Sequence, residues 1–503
     1  MLEKFKVTAK NSAIYGLGNL FGKLVGLILL PLYTSQFTIA EYGVIGMLEI
    51  TSQLLVAFFG MNLYVAFFRW YWDKEFLGKQ KSNYFTTTLF ILGLAILSGS
   101  ILILFRSKLS VLILSDVSYA GILGLSFVAS GLDAIGVMPS TLLRLQGKAL
   151  QYTYTYLIRM IVNLSLNVLF ITHYRYGLES IYYSAIISSM VFLLLLTRHS
   201  WLNMEIKFET RVLKQMIIFS FPLLLSALAA IVLTITDRYM RRFLIGLDDV
   251  GTYSLSYKIS NTIRFLLIIP VNLAVLPVFF KIMDDPKSKV FYARFTTYFS
   301  FITLYAVLAI SLFAEPVVTL FARKSEYWGS IPLIPVLSVA IFFGMLKDMM
   351  MTGLHIMKKT KILAVVIVSL AVFNIVMNYI LIPIFRDLGA SIATLVTQVL
   401  YFIILYIVAQ KAIKIPYELG RISKILVVAL LAYIVTLVIP LPEGNIDLVV
   451  RIVIFVLFPV LLIPFRFYQL SEIKAFIGFV KKWKDLGKLK QNLNDLLKLP
   501  ADD

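Results

Sequence analysis

Apolar runs of roughly twenty residues, separated by short polar turns, recur from one end of the chain to the other. A helix needs about 20 apolar residues to cross the hydrocarbon core of a bilayer. Each run therefore predicts a spanning helix, and the whole predicts an all-α polytopic membrane protein. Fourteen segments follow, near 11–34, 40–66, 82–105, 118–143, 151–172, 177–197, 213–236, 249–280, 290–313, 329–354, 361–383, 388–409, 422–440 and 446–468. The turns between segments 5 and 6 and between 11 and 12 are very short. The first run is too long for the apolar core of a signal peptide and continues into further membrane.

After Gln469 the pattern changes. Ile473, Phe476, Ile477 and Val480 fall at helical spacing among lysines 474, 481, 482, 484, 488 and 490. That predicts an amphipathic basic helix lying on an anionic membrane surface.

The pattern also repeats. A shift of 208 lays EYGVIGML (41–48) on DVGTYSLS (249–256). A shift of 210 lays FTTTLF (85–90) on FTTYFS (295–300). A shift of 211 lays NLSLNVLF (163–170) on NIVMNYIL (374–381), matching both asparagines. Three matches in order at a nearly constant offset predict two six-helix halves of equal topology. The expected organisation is a first lobe over 1–200, a second over 201–415, two added helices over 416–468 and the tail from 469. Parallel repeats of this kind are a transporter design, with a cavity between the halves and alternating access.

Composition sharpens this reading. The chain is 60% hydrophobic and 15% charged, with a net charge of +20, and its mean hydropathy is +0.88. With the N-terminus inside, inner loops hold about 24 Lys and Arg and outer loops about 10, which places both termini in the cytoplasm. The positive charge is thus a topology signal, dispersed over short loops, and argues against a nucleic-acid partner. The absence of cysteine excludes disulfides and thiolate chemistry. The three histidines, His173, His199 and His355, do not pair at metal-ligand spacing. Neither a metal site nor a catalytic residue is expected.

Ionisable residues inside a bilayer are expensive and commonly functional. The deep ones are Lys23, Glu49, Asp133, Arg159, Lys258, Arg264, Lys347 and Asp348. The five cations, Lys23, Arg159, Lys258, Arg264 and Lys347, predict a cavity for an anion, with phosphate the natural choice. Internal pairing of Lys23 or Arg264 with Glu49 or Asp133 is the alternative. Glu49, Asp133 and Asp348 are ion-coupling candidates. In TDRYMRR (236–242), at the predicted outer lip of segment 7, Asp237, Arg238, Arg241 and Arg242 make a charge cluster that the repeat does not reproduce. It is read as interfacial anchoring or as an asymmetric outer gate. Tyr152, Tyr154 and Tyr156 are either an interfacial belt or a sugar-stacking set. Gly18, Gly22 and Gly26, spaced by four in GLGNLFGKLVG, predict helix packing and lack the spacing of a phosphate-binding loop.

KNSAIYGLGNLFGKLVGLILLPLYTSQFTIAEYGVIG resembles the opening of the bacterial polysaccharide exporters, including the Wzx-type O-antigen flippases of the multidrug/oligosaccharidyl-lipid/polysaccharide (MOP) superfamily. TDRYMRRFLIGLDDVGTYSLSYKI is similar to that family's Asp-Arg-aromatic stretch and following Val-Gly-x-Tyr turn. The resemblance implies two lobes around a V-shaped central cavity. It implies translocation of an undecaprenyl-pyrophosphate-linked oligosaccharide across the bacterial (or archaeal) plasma membrane for surface polysaccharide synthesis. It also implies proton or sodium exchange without another cofactor, contact with membrane lipids, and work beside a polysaccharide polymerase and a chain-length regulator. A lipid II flippase and a MATE-like organic-cation antiporter remain alternatives, although Lys23 is the wrong sign for a cationic drug. A membrane enzyme is disfavoured because the outer loops near 106–117 and 314–328 are short.

Overall fold

The computed structural model describes residues 24–272, 288–356, 360–438 and 445–469, with positions 275, 279, 282, 285 and 472. Lys23, Gly18, Gly22 and the basic tail lie outside the described residues. No strand occurs among the described residues. The first half comprises α1 (Leu30–Gln36), α2 (Ile39–Gly60), α3 (Leu63–Tyr71), α4 (Gln80–Leu104), α5 (Arg106–Leu114), α6 (Ala120–Leu145), α7 (Ala149–Val168) and α8 (Glu179–Leu202). The second comprises α9 (Thr210–Leu244), α10 (Leu247–Ser260), α11 (Ser288–Leu312), α12 (Ala314–Phe321), α13 (Leu333–Ile356), α14 (Thr360–Phe385) and α15 (Asp387–Ala412). Two more follow, α16 (Leu419–Val438) and α17 (Asn445–Leu461).

Among the described residues, eleven helices are long and apolar enough to cross a membrane by length and composition. Predicted segments 1, 8 and 14 are not among these eleven. Segment 1 is described only from residue 24, α10 gives way to a π-helical turn at Arg264–Ile268, and α17 has 17 residues.

Local sequence explains the boundaries. Thr38 and Glu41 form a reciprocal capping box that starts α2, satisfying two otherwise orphaned amides. Met61 and Asn62, both at positive φ, separate α2 from α3, so predicted segment 2 is two helices. One residue, Arg386 at φ 44°, joins α14 to α15. Buried hydroxyls return to the carbonyl four residues earlier, as Thr51 does to Met47 and Thr397 to Ala393. A bilayer requires such local satisfaction because no water is at hand.

The packing repeats as the sequence does. In the first lobe α6 packs on α8, α7 on α8 and α2 on α6; in the second, α13 packs on α15, α14 on α15 and α10 on α13. The added helices α16 and α17 lean on α11. At the foot of α16, Arg421 binds Glu418 (2.9 Å) and Glu472 (2.9 Å). Burial alone would raise the Glu472 carboxyl, but hydrogen bonds from Tyr298, the Gln469 N–H and Arg421 hold it below the usual range.

The lobes meet where α2 crosses α10 near their N-terminal ends. A Cβ on Gly43 would lie 2.1 Å from the Leu247 carbonyl oxygen, and one on Gly251 would lie 2.1 Å from that of Ile39. Both glycines and both carbonyl residues are separated by the repeat offset of 208. Only a missing Cβ lets the two backbones approach so closely. The second lobe also clasps the α1–α2 corner. The Lys324 ammonium donates to the Phe37 carbonyl (2.9 Å), and the Tyr327 hydroxyl lies 3.0 Å from the carbonyls of Phe37 and Thr38. This end of the bundle is closed.

Candidate functional site: the cavity between the lobes

Below that crossing a cavity of about 440 Å³ opens between the lobes. The first lobe contributes Glu49, Ser52 and Gln53 from α2, Ser130 and Asp133 from α6, and Asn163 from α7. The second contributes Thr234 and Arg238 from α9, and Tyr257, Lys258 and Asn261 from α10. On each helix these residues lie three or four apart or adjacent, so they share one face.

The charges are mostly paired. The Lys258 ammonium donates to Glu49 Oε1 at 2.9 Å, an ion pair that spans the two lobes. Gly26 lies beside it, and a Cβ there would make an ordinary contact 3.5 Å from Lys258 Nζ. Asp133 pairs with Arg159 (2.5 Å) and accepts from the Ser189 hydroxyl (2.8 Å). Asp348 pairs with Lys347 (3.1 Å) and with Arg264 (3.6 Å). Arg159, Lys258, Arg264 and Lys347 are thus all held by carboxylates. The pairing differs from the sequence alternative, because Arg264 meets Asp348 and neither Glu49 nor Asp133.

The TDRYMRR cluster lies in the last turns of α9 and is largely buried. Helix α9 runs through it to Leu244, and Asp237, Arg238 and Arg241 are buried. The charges are tolerated because other segments supply partners. Asp237 accepts from Asn378 (2.7 Å), Tyr253 (2.6 Å) and Thr394 (2.5 Å), and no arginine forms an ion pair with it among the described residues. Arg241 donates to the carbonyls of Asp387 (2.7 Å) and Asp249 (3.1 Å). Arg242 reaches the Val111 carbonyl at 3.3 Å. Asp237 and Arg241 are thus held by partners of the second lobe, whereas Arg242 reaches α5 of the first.

The repeat survives here in altered form. Asn167, offset by 211 from Asn378, accepts from the Tyr33 hydroxyl at 2.8 Å. Each lobe thus ties its asparagine helix to its first helix, through a phenol in one lobe and a carboxylate in the other. The YTYTY tyrosines do not form a stacking set. Tyr152 packs on Tyr156 and Tyr156 on Phe192 inside the first lobe, while Tyr154 is exposed on another face.

Residues 8–283 match the sequence pattern of the family described as polysaccharide biosynthesis protein. The chain belongs to that family. Comparison with curated proteins gives no significant match. Among solved structures, the lipid II flippase MurJ in an inward closed conformation is 14% identical with a TM-score of 0.73, covering 90% of this chain and 98% of MurJ. The MATE multidrug transporter DinF-BH is 16% identical with a TM-score of 0.63, covering 82% and 96%. A MOP-superfamily transporter from Pyrococcus furiosus with a binding pocket of reverse polarity is 15% identical with a TM-score of 0.58, covering 81% and 95%. These likenesses establish the fold of this polysaccharide biosynthesis protein.

Sequence reasoning missed Tyr253, Thr394, Ser189 and Asn261. Hydroxyls and amides in apolar segments give no hydropathy signal, and only the fold brings these four to the charges.

Proposed function

We propose that this polysaccharide biosynthesis protein is a flippase. It carries an oligosaccharide on a polyprenyl diphosphate from the inner to the outer leaflet by alternating access. The observation that carries this reading is the charged cavity in the middle of an otherwise apolar bundle, lined by both lobes and closed at one end. With cytoplasmic termini, the closed end is the outer one and the cavity faces inward. The oligosaccharide meets the hydroxyl, amide and carboxylate groups of the first lobe, the diphosphate meets the cations, and the lipid chain stays in the bilayer.

Deleting the gene should abolish surface glycan, and the wild-type chain should restore it. Lys23→Ala, Lys258→Ala and Arg264→Ala should each lower export while the protein remains in the membrane. Normal glycan in all three would remove this site assignment. Rescue of a strain depleted of its lipid II flippase would instead make lipid II the cargo. Coupling is assigned to Asp237, whose carboxylate is ringed by Asn378, Tyr253 and Thr394 oxygen and amide groups. Asp237→Asn should lower export by roughly tenfold or more and remove its dependence on pH or sodium, because an intramembrane carboxylate is the group an ion can neutralise. An unchanged ion dependence would move coupling to Glu49, Asp133 or Asp348.

A further inference from the structure

Among the described residues, two cations line the cavity, Lys258 and Arg238, and only Lys258 is held by a carboxylate. Arg238 lines the cavity wall from α9, one turn after Thr234, yet its residue is only 7% exposed. Its Nε is buried without a hydrogen-bond partner. Among the described residues no carboxylate comes within ion-pair distance of it, whereas Lys258, Arg159, Lys347, Arg264 and Arg241 all have one. Its sequence neighbour Asp237 is committed to Asn378, Tyr253 and Thr394. The guanidinium lies 4.7 Å from the centre of the Tyr257 ring, a cation–π contact that fixes its position but neutralises no charge. Facing the same cavity just past the end of α10, Asn261 has a buried Oδ1 without a partner, an acceptor that suits a sugar hydroxyl and not a phosphate oxygen.

A buried guanidinium that forms no ion pair, with Asp237 acting on it only at longer range, is costly, and an anion that completes it recovers that cost. Arginine offers a planar fork of donors that matches phosphate oxygens two at a time. We infer that Arg238 is the residue that grips the phosphate of the cargo. The inference rests on the flippase reading for the cargo's identity. It changes the role of Arg238 from gate to ligand contact, and it makes the paired cations supporting charges. Phosphate could reach the site on a polyprenyl carrier, on a phospholipid or free in water, and the assignment is to the diphosphate of the carrier.

The test is binding to the purified full chain in detergent, read by native mass spectrometry. The probes are undecaprenyl diphosphate, phosphatidylglycerol and inorganic pyrophosphate. Undecaprenyl diphosphate should bind the wild type, and Arg238→Gln should weaken it by about tenfold or more. Arg238→Lys, which keeps charge but loses the fork, should fall between. Arg211→Gln, an equal charge change at an exposed position, should match the wild type. Competition by millimolar pyrophosphate would support recognition of the diphosphate itself. Thermal unfolding of each variant separates lost binding from lost folding, and a folded Arg238→Lys keeps the question decidable if Arg238→Gln does not fold.

Wild-type affinity in a folded Arg238→Gln would overturn the inference. Equal binding of phosphatidylglycerol, with equal dependence on Arg238, would overturn the carrier assignment. Full glycan export by Arg238→Gln would refute this site and leave the flippase reading standing. A wild type that binds undecaprenyl diphosphate through Arg238 but exports no glycan would refute the reading and leave the site.

Discussion

Gly43→Val or Gly251→Val should abolish export while leaving the protein in the membrane. Each Cβ would fall 2.1 Å from a backbone oxygen of the facing helix, a clash that no rotamer relieves because backbone cannot turn aside. The helices must separate, and overpacking of this kind costs about 1–3 kcal/mol or more. Applied to one state of a two-state transporter, about 3 kcal/mol shifts the equilibrium more than a hundredfold. The closed outer end would be lost and the cavity would stand open there. Because the chain has no cysteine, a single Ser52→Cys in the cavity wall reports this cleanly. A membrane-impermeant maleimide added from the closed end should label it severalfold faster in the valine variants, as expected when an equilibrium shifts toward the open state. Gly60→Ala, where nothing lies within 4 Å of the added carbon, should export normally. Unchanged labelling and export in both valine variants would mean that α2 and α10 do not form the closure.

The sequence shows the helices well because a bilayer forces the signal: a spanning segment must be apolar and long. It shows the repeat too, and Gly43 and Gly251 already sit within the matching strings EYGVIGML and DVGTYSLS. Their reason was not legible, since it is a contact between the two repeats. Hydropathy also misplaced the end of segment 7. It treats Asp237 and Arg241 as the onset of water, whereas their partners come from α10, α14 and α15, up to 157 residues away. Met61 and Asn62 gave no warning of a break, because neither is the glycine that positive φ usually selects.

The charged site was half legible. Of the deep ionisable residues identified from the sequence, Glu49, Asp133 and Lys258 line the cavity, but the sequence could not say which carboxylate neutralises which cation. Glu49 and Lys258 are 209 residues apart, one more than the repeat offset, and no local pattern couples them. Pairing decides function here. A cation held by a carboxylate is a weaker ligand for phosphate than one without, and that distinction separates Arg238 from its neighbours.

Arg241 illustrates the opposite outcome, and Arg241→Ala should cost about 2–4 kcal/mol of stability. Its residue is 0% exposed. It sits in the last turn of α9, while Asp249 and Asp387 occupy the first turns of α10 and α15. A cation is favoured at a helix C-terminus and an anion at an N-terminus, so the three helix ends are arranged to suit one guanidinium. It donates to both aspartate carbonyls and lies 3.6 Å and 3.4 Å from their carboxylates. A gate residue must exchange partners during transport, whereas this one would have to surrender four contacts and hydrate in a site without room. We therefore propose that Arg241 is a staple that holds α9 to α10 and α15 and not part of an outer gate. The half-exposed Asp387 side chain can hydrate after the mutation, which keeps the cost toward the lower part of that range. Purified Arg241→Ala should unfold at a clearly lower temperature and accumulate less in the membrane. Arg242→Ala, which loses only long contacts to exposed carbonyls, should stay within about 0.5 kcal/mol. An Arg241→Ala protein that melts like the wild type yet fails to export would return Arg241 to the gate.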